Sequence, residues 1–205
     1  MSREKTEMGR SDIREHLRGA LLRGDRSATG EISRQVPMSE LRLFRDELLE
    51  ELTDQYLSGS CPFCQLTAVA EAACVLAESG PPIVCFGSLA GNSDDTGRNF
   101  IRMLLRAWGM PALDLGADVP EERFLCAVVE QKIRFVIVTA FSADDAGAAD
   151  RLHRAAVRRG IRERFDLLLC GAKVPVEVQK RLQLACTDHR AAAVARWVVR
   201  AWRNG

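Results

Sequence analysis

The sequence predicts an α/β chain: a flavodoxin-like five-stranded parallel sheet preceded by an all-α helical cap domain. Three observations carry this. Apolar residues recur at helical spacing through the first eighty positions. Past Gly80-Pro81-Pro82 the pattern changes to short apolar runs at 83–87, 112–115, 134–139 and 166–170. Each run is followed by a segment of helical length, and strands alternating with helices build right-handed βαβ units with helices on both faces of a parallel sheet. The Gly-Pro-Pro marks the boundary, giving a helical domain over 1–80 and an α/β domain over 81–205.

In chain order, Ser11 is placed to cap a helix carrying Ile13, Leu17, Leu21 and Leu22, which breaks at Gly24-Asp25. Ser39 is placed to cap a second, carrying Leu41, Phe44, Leu48, Leu52 and Tyr56. Gly59-Ser60 precedes a third segment over 61–78, rich in Ala and Leu. The four apolar runs then read as strands, and a fifth short strand is expected over 182–186. A last helix over 190–202 places Val194, Trp197, Val198, Ala201 and Trp202 on its apolar side. In open sheets of this kind ligands bind outside the carboxyl ends of the strands, at the point where the strand order reverses.

Composition narrows the class. Of 205 residues, 47% are hydrophobic and 28% charged, which is the balance of a folded chain. No apolar run approaches the ~20 residues of a membrane span, and the charged start MSREKTEMGR lacks a signal-type apolar stretch. A cytoplasmic protein without membrane contact is expected. Seven scattered cysteines do not describe a disulfide scaffold, and Cys85, Cys126, Cys170 and Cys186 read as core thiols. The net charge of +1 divides into about −4 before Pro81 and +5 after it. No Lys or Arg occurs over 46–97, so that stretch cannot neutralise phosphates.

The loop after the first strand reads Gly91-Asn92-Ser93-Asp94-Asp95-Thr96-Gly97-Arg98-Asn99, and the second strand runs into Asp114-Leu115-Gly116-Ala117-Asp118-Val119-Pro120. Together these resemble the cobalamin-binding domain superfamily, whose loop is G-D-x-H-D-x-G-K-N and whose second strand reads D-L-G-x-D-V-P. The resemblance covers 83–204, and the helical segment ahead of it is similar to the cap over the corrin in many relatives. It implies a role for each matching position. The family's His, the lower axial ligand to cobalt, is Asp94 here; the Asp that hydrogen-bonds that His is Asn92. Gly97, which leaves room for the displaced nucleotide tail, is kept. Carboxylate is a poorer partner than imidazole for low-spin cobalt, so bound cobalamin is expected to keep its own benzimidazole or to be held weakly. The family's S-x-L corresponds to Thr139-Ala140-Phe141 and its G-G to Cys170-Gly171, with Phe141 bulkier than Leu. Tyr56 stands where caps present an aromatic; Leu66 and Thr67 stand where an upper Glu-His pair is found.

The degenerate loop also resembles bacterial regulators of the AerR/PpaA kind and the heme-binding cobalamin-like domain of the photoreceptor AppA. That resemblance implies a non-enzymatic sensor: a tetrapyrrole, cobalamin or heme, is bound, and a transcriptional repressor or other regulator, such as one of photosynthesis genes, is modulated in response to light or redox. Two other readings stand beside it. One is a corrinoid carrier protein of a methyltransferase system; the other is a ligand-free interaction domain whose glycines serve turns.

Cys61-Pro62-Phe63-Cys64 opens a helix, where the dipole lowers a thiol pKa, so Cys61 is a candidate heme thiolate or half of a redox pair. Two packed thiols is the plainer reading. His189, after the fifth strand, is a second metal candidate, whereas His153 sits among Arg151, Arg154, Arg158 and Arg159 as a surface residue. That Arg-rich helix reads as a solvated face, so direct DNA binding is expected to be weak, and a basic regulator is expected to dock on the acidic stretch 46–97. No Ser-His-Asp grouping, phosphate loop or dinucleotide fingerprint is present in the sequence, and no enzymatic activity is expected.

Overall fold

The computed structural model describes residues 10–76, 80–93, 95–140, 143–171 and 175–204. The chain divides into two compact units, Met1–Ala77 and Glu78–Gly205.

The first unit is helical: α1 (Arg10–Leu22), α2 (Arg26–Ser33), α3 (Met38–Leu57) and α4 (Phe63–Ala73), closed by a 3-10 turn over Cys74–Leu76. The Gly24-Asp25 break works as chemistry requires. Gly24 takes φ +69°, and the Asp25 carboxylate accepts the Ala28 N–H at 2.9 Å to cap α2. The two serine caps are corrected. Ser11 and Ser39 lie inside their helices, and α3 starts after Pro37, which provides no side-chain cap bond. Leu17, Leu21, Leu41, Leu48, Leu49, Leu52 and Leu66 fill the interior, each worth about 1.5–3 kcal/mol of burial. Arg45 is buried among them. It reaches the Leu76 carbonyl at 3.1 Å and Asp46 at 3.0 Å, tying the last turn to α3.

The second unit runs β1 (Val84–Leu89), α5 (Thr96–Ala107), β2 (Ala112–Val119), α6 (Glu121–Glu130), β3 (Phe135–Ala140), α7 (Ala143–Arg158), β4 (Asp166–Gly171), α8 (Val176–Leu182) and α9 (Ala191–Arg203). Its sheet is parallel with order β2-β1-β3-β4, so the order reverses between β1 and β3. The expected fifth strand is a correction: among the described residues the sheet has four strands. Over 182–186 the chain meets the sheet through a bridge from Leu184 to Leu167 and a bond from the Ala185 N–H to the Leu167 carbonyl, short of a strand. Gln183, left-handed at φ 53°, ends α8 immediately before it, and a turn built on Asp188 follows, so the ladder does not propagate.

Side chains alternate across a strand, and the two faces divide accordingly. Cys85, Val136, Val138, Leu167 and Leu169 pack with Phe124, Leu125 and Val128 of α6 and Leu152 of α7. The opposite face meets α5 and α9, with Phe135 edge-on to Trp197 at 6.1 Å. Two apolar expectations fail on the helices. Cys126 points outward from α6 while Phe124, Leu125 and Val128 take the inward positions, and Trp202 is exposed at the end of α9.

Candidate functional site

The carboxyl ends of β1, β3 and β4 form one edge. The register places Ser88, Thr139 and Cys170 side by side, on the face turned toward α5 and α9. Ser88 and Thr139 are wholly buried, and their hydroxyls meet at 2.6 Å across the point of order reversal. Thr139 also donates to the Gly87 carbonyl at 3.3 Å. Asn92, 8% exposed, follows β1 and sends its amide toward the Thr139 carbonyl at 3.5 Å. Cys170 is a core thiol, its pKa pushed up to about 12 by burial. Gly171 ends β4 at φ +120°, a conformation that L side chains rarely adopt, and donates its N–H to the His189 carbonyl at 2.7 Å.

The loop after β1 is laced to β2 from two sides. Asp118, non-glycine at φ 55°, accepts the Gly91 N–H on its carboxylate at 2.7 Å and gives its own N–H to the Asn92 carbonyl at 3.1 Å. Beyond the loop, Arg98 in the first turn of α5 holds both Asp114 oxygens at 2.7 and 2.6 Å and Asp95 at 2.8 Å. The Asp114 hydrogen bond raises the Arg98 pKa and fixes its charge. Gly97 stands beside it in the same turn.

Thus Asn92, Thr139, Cys170, Gly171 and His189 gather at one end of the sheet, and Gly97 lies in the helix that the loop enters. Asp94 and Phe141 lie outside the described residues. Tyr56 and Cys61 belong to the helical unit, where Tyr56 packs against Phe63 with ring centroids 6.3 Å apart. The thiolate argument for Cys61 is corrected. Burial pushes its thiol up, and the opposing hydrogen bond from the Leu66 backbone does not outweigh that. Sequence reasoning missed Ser88 and Asp118. The first is a hydroxyl inside an apolar run; the second is visible only as one letter of the D-V-P motif.

No protein-family model matches the chain. Solved structures do. A cobalamin-binding protein from Desulfitobacterium hafniense DCB-2 superposes with a TM-score of 0.74 over 94% of this chain and 98% of its own, at 18% identity. The methanol:cobalamin methyltransferase complex of Methanosarcina barkeri contains a chain matching at TM-score 0.76, over 96% and 81%, at 20% identity. This chain shares the fold of these two structures. A monomethylamine corrinoid protein of Methanosarcina barkeri superposes at TM-score 0.55, with 16% identity over 94% of this chain and all of that one. In sequence, 75 residues, 37% of this chain, are 35% identical to the methanol corrinoid protein of Methanosarcina barkeri, and that stretch spans 29% of the relative's length. None of these relatives is by name a heme protein or a transcriptional regulator.

Three further expectations meet the structure here. No helix among the described residues is long and apolar enough to cross a membrane. The Arg-rich helix α7 and the residue after it are matched by acids: Arg151 pairs with Glu121 at 2.8 Å, Arg154 with Asp150 at 2.7 Å, and Arg159 with Glu122. His153 is not a simple surface residue; its Nδ1 accepts a hydrogen bond from the partly desolvated Arg162 at 3.1 Å.

Proposed function

We propose that this protein binds a corrinoid at the carboxyl edge of the sheet and carries it to a separate methyltransferase, without being an enzyme itself. The observation that carries the reading is the edge itself: Ser88 and Thr139 meet where the strand order reverses, with Gly171 ending the adjacent β4, in a chain that shares its fold with cobalamin-binding structures. A bound corrinoid supplies a cobalt centre able to accept and pass on a methyl group. The chain's own residues hold it. The hydroxyl pair offers polar contacts below the loop, and Gly171 allows close backbone approach at the end of β4. Position 94 offers a carboxylate in place of an imidazole, so binding rests on the tail of the ligand more than on a cobalt–protein bond.

Heme has less support: burial raises the pKa of the Cys61 thiol, which disfavours the thiolate a heme iron would need from it. Asp94 favours one second reading, in which corrinoid occupancy is passed to a regulatory protein and not to a methyltransferase. Mixing the purified protein with hydroxocobalamin and, separately, with hemin, followed by gel filtration, tests the assignment. Corrinoid absorbance should travel with the protein. Hemin retained while cobalamin elutes with the salt would overturn it. Methyl transfer from the loaded protein to a methyltransferase separates the carrier from the sensor.

A further inference from the structure

One buried polar atom at this edge has no use in the fold. His189 is 6% exposed, and its Nε2 has no hydrogen-bond partner among the described residues. Its Nδ1 lies 3.2 Å from the Leu169 carbonyl. A carbonyl only accepts, so Nδ1 carries a proton, and the tautomer this contact selects presents Nε2 as an acceptor. The neighbours are engaged elsewhere. The Asp188 carboxylate is taken by the Arg190 N–H at 3.0 Å and its guanidinium at 2.6 Å, and the Cys186 thiol donates to the Asp188 carbonyl. Backbone bonds fix the ring against β4, since Gly171 donates to the His189 carbonyl. Leaving a buried acceptor unmade is costly, and such atoms are found where a ligand or water completes them.

We infer that His189 is a recognition residue of the corrinoid site: its Nε2 accepts a hydrogen bond from a ribose hydroxyl of the ligand's nucleotide tail, beside Gly171 at the end of β4. This rests on the corrinoid reading above and adds a selectivity to it. The protein distinguishes complete corrinoids, which carry a ribose hydroxyl, from cobinamides, which have the same ring without the nucleotide.

The test is equilibrium binding of hydroxocobalamin and of cobinamide to the full chain and to His189→Phe and His189→Gln. The unsubstituted protein should prefer cobalamin. His189→Phe should lower cobalamin affinity by about ten-fold, the loss of one buried hydrogen bond, and leave cobinamide unchanged. His189→Gln, which retains an acceptor oxygen, should keep most of the preference. On the unsubstituted protein, the 15N resonance of the unprotonated His189 nitrogen should move on adding cobalamin and stay in place on adding cobinamide, a readout independent of whether His189→Phe folds. An unmoved resonance, or equal losses for both ligands, overturns the role of His189 while corrinoid binding stands. Failure of the unsubstituted protein to bind either ligand overturns the corrinoid reading itself.

Discussion

The loop after β1 and the outer edge of β4 border the same end of the sheet and are built in opposite ways. The loop is held by side-chain pairs nearer the surface: exposed Asp118 and partly buried Arg98 clamp it, and its position 94 carries a carboxylate where the related motif has an imidazole. The β4 edge is held by burial. Arg162, 8% exposed, donates to the carbonyls of Phe165, Leu182 and Gln183 at 2.8, 3.1 and 2.8 Å, and so fastens the segment that leads to His189. The contrast teaches that the loop side rests on side-chain pairs at its surface, whereas the β4 side is part of the buried scaffold.

The largest expected effect is therefore on the β4 side. Arg162→Ala leaves three backbone carbonyls without their donor and should cost about 3 kcal/mol, read as a lowered midpoint in urea unfolding. A loss below the scatter of surface substitutions would mean that water replaces the guanidinium and that the edge is not pinned as described.

On the loop side the effect should be smaller. Asp118→Ala removes the acceptor for the Gly91 N–H and places alanine at a positive φ, at a cost of about 1 kcal/mol. Asp118→Asn, which keeps an acceptor and tolerates the left-handed region, should recover most of it. Equal losses for Arg162→Ala and Asp118→Ala would erase the contrast between the two sides.

The smallest effect concerns pH. Burial, and then the charge of Arg162, hold the His153 pKa below its usual value. A histidine with a depressed folded pKa is more easily protonated unfolded, so its contribution is present above the unfolded value of about 6.5 and is lost as pH falls through the lower folded value. Stability measured from pH 7 to pH 5 should fall less in His153→Gln than in the parent. Identical slopes would remove His153 from the account.

Much of this was legible in the sequence. Most helices and the four strands follow from apolar spacing, whereas α2, whose buried residue is Thr29, has no apolar stripe to read and is marked in the sequence only by the Gly24-Asp25 break ahead of it. What was hidden depends on long-range placement. The 182–186 segment has a strand's composition, but Gln183 and the Asp188 turn deny it a ladder. Cys61 has the helix-start position of a reactive thiol, but burial reverses the sign of its shift. Ser88 reads as one polar letter in an apolar strand, and only the register with β3 sets its hydroxyl against that of Thr139. His189 stood out as a histidine; that its Nε2 is buried and unpartnered is a property of the folded edge alone.

The central claim is that a corrinoid is held at the β1, β3 and β4 edge with no protein imidazole on cobalt. Electron paramagnetic resonance of the Co(II) form, loaded once into unlabelled and once into 15N-labelled protein, measures this directly. Identical superhyperfine patterns are expected from the two samples, and Asp94→His should make them differ. A pattern that changes with protein labelling in the unsubstituted chain would place a protein nitrogen on cobalt and contradict the account.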